Sequence, residues 1–529
     1  MKTTFVNKGL VALVSSALVA TFAVAAPSVA HAADLTCTTA ETKVETCTGV
    51  DGNGAKFEIR MPSNFNGTLY VYSHGIRYNV DLPAIPGVSP VKSVVNKEPE
   101  VAPSALVATA LLKQGYALAG SGATTQGWNL EEGVDGALQV MQIAETKYPK
   151  VSKVVAWGSS LGGLTAQALA EQYSGAIDAA APMCLAESAQ AEITMAGDFL
   201  WGMKNFFNPA IKGTGYSAGQ VGYVEMLTDL QTVLTTLLAL QTAIATNPVA
   251  PAWPATSTVP DSLKVIPVRS AVLLLGLISG ISTQSNTYDA SSGPAGALET
   301  SFGLAISPAL AVLENGAQAA VLAVIANYDM EVRAGGVVYD NSKTNFAARL
   351  GDDAQTFNAA LSGTTAITGM VGYLQYLAPK VTADSAAVSR LNSMYQLQGK
   401  ISVPTITLAA TADHITPAGA VTYLNNQYNA SVSAGTASKD MLLNIWNKPA
   451  ETYTQFAASG AGITPTVATN GTGHCNYTTS QILTVAKLAA TAAKTGKLPS
   501  TAAAKAAIKN DANLFIDPNF TPALLKFRQ

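Results

Sequence analysis

Ser160, Asp413 and His474 are, in chain order, an alcohol, an acid and a base, the three groups that together make a hydroxyl nucleophilic. Ser160 lies at the centre of Gly158-Ser159-Ser160-Leu161-Gly162-Gly163, after the apolar run 153–157 and before the helix-like stretch 164–170. A strand, a sharp glycine-bounded turn and a helix form a nucleophile elbow. The turn holds the serine in a strained conformation with its hydroxyl at the top of a sheet, and the flanking glycines remove side chains that would collide. In a chain with 43 glycines the pattern alone is weak, so its position between strand and helix is what makes it informative.

A serine hydroxyl needs a base, and outside the N-terminal leader only His74, His414 and His474 are available. His474 sits in Asn470-Gly471-Thr472-Gly473-His474-Cys475-Asn476-Tyr477, a glycine-rich loop able to carry an imidazole to a site. Asp413 follows the strand-like run 403–409 and is expected to orient that imidazole; the alternative reading is a simple turn residue. Asp440 and Glu451 are weaker substitutes, with no comparable strand before them. His414 is expected to point away from an Asp413 directed at His474, and so to be non-catalytic. Negative charge on the substrate oxygen needs backbone donors. The amide of Leu161 is one, and Gly75 or Ile76, in the Ser73-His74-Gly75-Ile76 turn, supplies the other. His74 then belongs to the oxyanion loop or is structural, and residues 122–128 line the pocket.

Elements that would position these groups alternate along the first half. Strands are expected at 56–60, 68–73, 115–120, 153–157 and 176–182, with helices at 104–113 and 131–148. Strands alternating with helices imply an α/β fold, a mainly parallel sheet flanked by helices. From 186 to 399 the alternation gives way to helical runs at 233–245, 271–281 and 310–325, with a proline-rich break at 248–260. The sheet resumes at 403–409. The block 186–399 is read as a large helical cap over the strand C-terminal ends, the alternative being a separate domain. The expected organisation is therefore a leader at 1–33, sheet halves at 34–185 and 400–529, and the cap between them.

At these residues the chain resembles the α/β-hydrolase superfamily: strand–His74-Gly75, Gly158-Ser159-Ser160-Leu161-Gly162, strand–Asp413 and loop–His474 occur in that order. The resemblance covers roughly 55–185 and 400–490 and implies acyl transfer through a Ser-His-Asp triad. His474-Cys475 is also similar to tannases and feruloyl esterases, in which the cysteine after the histidine bonds one just before the nucleophile. Here Ser159 holds that position, and Cys184 would clamp the histidine loop instead.

The remaining features narrow the class. Lys2 and Lys8, the apolar stretch 10–26 and Ala30-His31-Ala32-Ala33 read as a secretory signal peptide cleaved near Ala32/Ala33. Four cysteines then lie in an exported chain, where disulfides persist; three pairings are possible, and spacing favours Cys37 with Cys47 and Cys184 with Cys475. A net charge of −3 with 12% charged residues leaves no footprint for nucleic acid. Residues 270–282 are too short to span a bilayer. Residues 302–326 are long enough but interrupted by Pro308, Glu314, Asn315 and Gln318, so no integral membrane segment is expected after cleavage. No spacing resembles a metal site, and no cofactor is expected. The expected activity is a secreted serine hydrolase acting on small-molecule or polymeric esters, with Phe199, Trp201, Met203, Phe206 and Phe207 of the cap suiting apolar groups. The rival is an aminopeptidase, which would hold the substrate amine with cap carboxylates drawn from Glu187, Glu192, Asp198, Glu331 and Asp340. A binding module on the same fold is disfavoured by the complete triad.

Overall fold

The computed structural model describes residues 35–41, 43–84, 91–248, 250–289, 306–455, 463 and 470–529; the leader and its cleavage site lie outside them. Among the described residues ten strands form one sheet: β1 (Thr36–Thr39), β2 (Val44–Val50), β3 (Lys56–Pro62), β4 (Thr68–Ser73), β5 (Ala117–Ser121), β6 (Lys153–Ser159), β7 (Ala179–Met183), β8 (Thr405–Ala410), β9 (Leu442–Asn447) and β10 (Leu514–Phe515). Their spatial order is β1-β2-β3-β5-β4-β6-β7-β8-β9-β10. The pairs from β5 through β9 are parallel, whereas β1 to β3 join antiparallel at one edge and β10 antiparallel at the other. Every residue of β4, β7 and β8 is buried, as expected for parallel strands covered on both faces.

Helices α1 (Ala105–Lys113), α2 (Leu130–Lys147) and α3 (Leu161–Gln172) follow the pattern predicted for the first half. On one face Tyr70, Trp157 and Val155 pack with α1 and the helix Thr479–Thr495. There Tyr70 donates its hydroxyl to the carbonyl of Ala486 at 2.6 Å. On the other face α2 and α3 cover the sheet, and their apolar cluster runs without a break into the helices of the 186–399 block.

That block holds α4 (Ala189–Phe206), α5 (Gly219–Thr246), α6 (Asp261–Lys264), α7 (Val268–Ser279) and α8 (Ser307–Ala334), followed by shorter helices up to Ser385–Ser393. Ser188 caps α4 by accepting from the amide of Ala191. Pro308 does not interrupt α8: it lies in the first turn, where its missing N–H would have had no partner anyway. Asn315 is accommodated by donating to the carbonyls of Ser282 and Gln284. By length and composition α8 is apolar enough to cross a membrane, yet 67% of its most apolar window is buried within the protein. Its apolarity is spent on α4, α5 and α7, which pack against it.

Candidate active site

The turn after β6 forces Ser160 to φ 60°, ψ −126°, a left-handed conformation uncommon for a residue with a Cβ. The neighbouring glycines are required by close approach. A Cβ on Gly158 would lie 2.2 Å from the carbonyl oxygen of Gly162, and one on Gly162 would lie 2.0 Å from that of Ser73. The elbow is thus pressed against the end of β4, and the Ser160 amide donates to the carbonyl of Met183 at 3.0 Å.

Two loops bring the other groups to it. Ser160 Oγ lies 2.8 Å from His474 Nε2, and His474 Nδ1 lies 3.1 and 3.0 Å from the two carboxylate oxygens of Asp413. Asp413 is buried and accepts from the amides of Ile415 and Thr416, at 2.8 and 3.0 Å, and from the Thr416 hydroxyl at 3.1 Å. Burial alone would raise its pKa; His474 beside it and the Ile415 amide outweigh that and hold the carboxyl below its usual value. The histidine loop is anchored at several points. The Ala412 amide donates to the carbonyl of Gly471 at 3.0 Å, and Cys475 is disulfide-bonded to Cys184 just after β7. The Tyr477 hydroxyl donates to the carbonyl of Leu408, and Thr478 with Gln481 forms a reciprocal cap that starts the next helix. Cys37 and Cys47 form the second disulfide, across the β1–β2 pair.

The loop after β4 lies directly on the nucleophile, since a Cβ on Gly75 would come 3.2 Å from the Ser160 Cβ. His74 is buried, with Nδ1 2.7 Å from the carbonyl oxygen of Gly75. Burial, then Arg77, lowers its pKa. Leu161 opens α3, placing its amide at a helix N-terminus next to Ser160.

Two cavities meet at Ser160. A narrow one of about 70 Å³ has mostly apolar walls, including Trp128, Phe199, Ile281 and Leu322, and also takes in Leu161, Glu192, His414 and Thr416. A wider one of about 530 Å³ is bordered by Gly75, Arg77, Tyr78, His474 and Cys475. Ile76 and His414 border both. His414 is therefore a wall of the site, which its expected orientation away from Asp413 did not foresee. Thr416 and Glu192 were likewise not singled out by sequence. A Thr three residues after the acid is a weak local signal, and Glu192 had four equals. Asp440, at a turn before β9, and Glu451 take no part in the constellation.

The five insertion carboxylates now separate. Glu187 pairs with Arg528 at 2.7 Å, and Asp198 with Arg349 and the Tyr339 hydroxyl. Glu331 accepts from the Thr214 hydroxyl and from the amides of Gly215 and Tyr216. Asp340 accepts from Ser342 and Ala383. Glu192 alone of the five borders the narrow cavity.

No protein-family model matches the chain, and no curated protein matches it in sequence. Among solved structures it is similar to an esterase from Aspergillus oryzae, at 11% identity over 76% of this chain and 72% of that one, with a TM-score of 0.35. It is also similar to feruloyl esterase B from Aspergillus oryzae, at 12% identity over 82% and 74%, TM-score 0.32. An acylaminoacyl peptidase from Pyrococcus horikoshii matches at 10% identity over 31% of this chain and 25% of that one, TM-score 0.20. The strand order, the serine turn after β6 and the loops that meet it at the strand C-terminal ends give this chain the α/β-hydrolase fold.

Proposed function

We propose that the protein is an exported serine hydrolase that cleaves carboxylic esters through an acyl-enzyme. The observation that carries this reading is the unbroken hydrogen-bond chain Ser160–His474–Asp413, set on a strained serine turn. Ser160 Oγ bonds to the ester carbonyl carbon as its proton passes to His474 Nε2, while Asp413 holds the Nδ1 proton and offsets the imidazolium charge. The amides of Leu161 and of Gly75 or Ile76 stabilise the oxyanion. The ester C–O bond then breaks, His474 protonates the departing alkoxide, and a water repeats the sequence to release the acid.

His474 borders the wide cavity and not the narrow one, so the group it must protonate leaves on the wide side. That assigns the narrow, apolar cavity to the acyl group and the wide one to the alcohol. The insertion 186–399 then acts as a cap whose helices supply the acyl walls. An aminopeptidase would need an ionised carboxylate free to hold an ammonium, and four of the five carboxylates are engaged elsewhere. Two disulfides, with the leader-like N-terminus, fit an oxidising compartment outside the cytoplasm.

A fluorophosphonate probe should label the wild type at Ser160, and Ser160→Ala should abolish both labelling and p-nitrophenyl ester hydrolysis, the latter by roughly 10⁴-fold or more. Labelling at another residue, or faster cleavage of aminoacyl-anilides than of esters, would defeat the reading.

A further inference from the structure

The narrow cavity has an uneven wall. Most of it is hydrocarbon, but three of the residues bordering it carry a buried polar atom that has no hydrogen-bond partner among the described residues: Glu192 Oε1, Trp128 Nε1 and His414 Nδ1. Trp128 and His414 are 4% and 3% exposed, so water does not readily satisfy them. They come from three separate parts of the chain: the loop before α2, the first turn of α4, and the turn after β8. Buried polar atoms without partners are uncommon and lower stability. Three around one cavity beside Ser160 are accounted for if a bound molecule supplies the partners.

We propose that this cavity is a subsite for short acyl groups bearing an uncharged hydroxyl, with Glu192 as the specificity-determining residue and Trp128 as a second donor. The proposal rests on the ester-hydrolase reading for its acyl assignment. The size fits, because the cavity offers about five times the space that one water requires, enough for a short chain and one polar atom. The charge fits too. Burial first, then the nearby carboxylates of Glu187 and Asp413, push the Glu192 carboxyl well above its usual range, which favours the protonated form that can both donate and accept. His414 is neutral as well, its pKa brought to about 4 chiefly by burial. A cationic acyl group would gain from Glu192 only by ionising it against its own burial, and a plain alkyl chain offers the unpartnered polar atoms of the wall nothing.

The test compares p-nitrophenyl hexanoate, 6-hydroxyhexanoate and 6-aminohexanoate. The wild type should prefer the hydroxy ester over the plain one by about tenfold in kcat/KM. Glu192→Leu should remove that preference, whereas Glu192→Gln, which keeps a donor and an acceptor, should hold it within about threefold. Trp128→Phe should reduce it partially. A ratio untouched by Glu192→Leu in a variant that still labels at Ser160, or a preference for the amino ester, overturns the proposal. Calorimetric titration of Ser160→Ala with hexanamide and 6-hydroxyhexanamide separates the two readings. Selective binding of the hydroxyamide without ester turnover would leave the subsite standing and remove the ester reading; equal binding of both amides would remove the subsite.

Discussion

The two sides of Ser160 are held by different kinds of structure. On the sheet side each reacting group is fixed by backbone. The elbow is wedged against β4, Asp413 is wrapped by two amides of its own turn, and the His474 loop is tied to Ala412 and to Cys184. On the insertion side the walls are helix side chains, and one polar cluster fastens α8 to the loops at the strand ends. Asp329 accepts from the Trp128 amide at 2.8 Å, the Asn79 amide group at 2.6 Å and Arg333 at 3.0 Å, while Arg333 also donates to the carbonyl of Gln126 at 2.6 Å. The chemistry is therefore insulated from changes in the insertion, and the pocket is not. On the proposed ester reading, such an arrangement lets one reaction accept different acyl groups through changes in the wall residues of α4 and α8.

The strongest test of that division is Asp413→Asn. The substitution keeps the volume but removes the charge that orients and stabilises the imidazolium, so kcat for a p-nitrophenyl ester should fall roughly 10³- to 10⁴-fold. KM should stay within about threefold, because the Asn side-chain oxygen can still accept from the amides of Ile415 and Thr416, which border the narrow cavity. A large rise in KM with kcat preserved would mean that the acid shapes the pocket and not the catalyst.

Asp329→Ala should act in the opposite manner. It strips the partner from the Trp128 amide and leaves Arg333 without its buried carboxylate, at a cost of about 2–4 kcal/mol in urea unfolding. KM should rise as Trp128 and α8 lose their fixed separation, while fluorophosphonate labelling of Ser160 persists. Loss of labelling in a folded sample would show that the insertion also positions the triad.

The same contrast explains what was legible beforehand. The strands β4, β6 and β8 are short apolar runs buried on both faces, and a glycine-flanked serine carries its geometry in its neighbours, so both could be read locally. Strands β1 and β2 went unnamed because they are Thr-rich and polar, β1 lying largely exposed at the sheet edge and β2 mostly half-buried beside it. β9 was missed because Asn444 and Asn447 break its apolar pattern; in the fold they meet the Thr407 hydroxyl and Gln481. Glu192 could not be chosen among five carboxylates from sequence, because what distinguishes it is its place on the wall of the narrow cavity, a property of the whole fold.

The smallest predicted effect concerns His414, which borders both cavities and belongs to neither reacting chain. Burial lowers its pKa to about 4; Asp413 opposes this only in part, and His474 adds to it. Between the ordinary value near 6.5 and about 4, the unfolded chain takes up a proton that the folded chain refuses. Stability should therefore fall as pH drops through that window, by up to about 1.4 kcal/mol per pH unit from this group. Asp413 works at lower pH: its depressed pKa gives stability that is present above the usual carboxylate value and lost only as pH falls through the folded one. Urea unfolding at pH 7 and pH 5 separates the two. His414→Gln should lose about 2 kcal/mol less than the wild type between them. An equal loss in both proteins would place the acid sensitivity elsewhere. A smaller loss in the variant, with kcat at pH 7 little changed, would identify His414 as a wall that the site keeps neutral, which is the state the neutral cavity beside Ser160 requires.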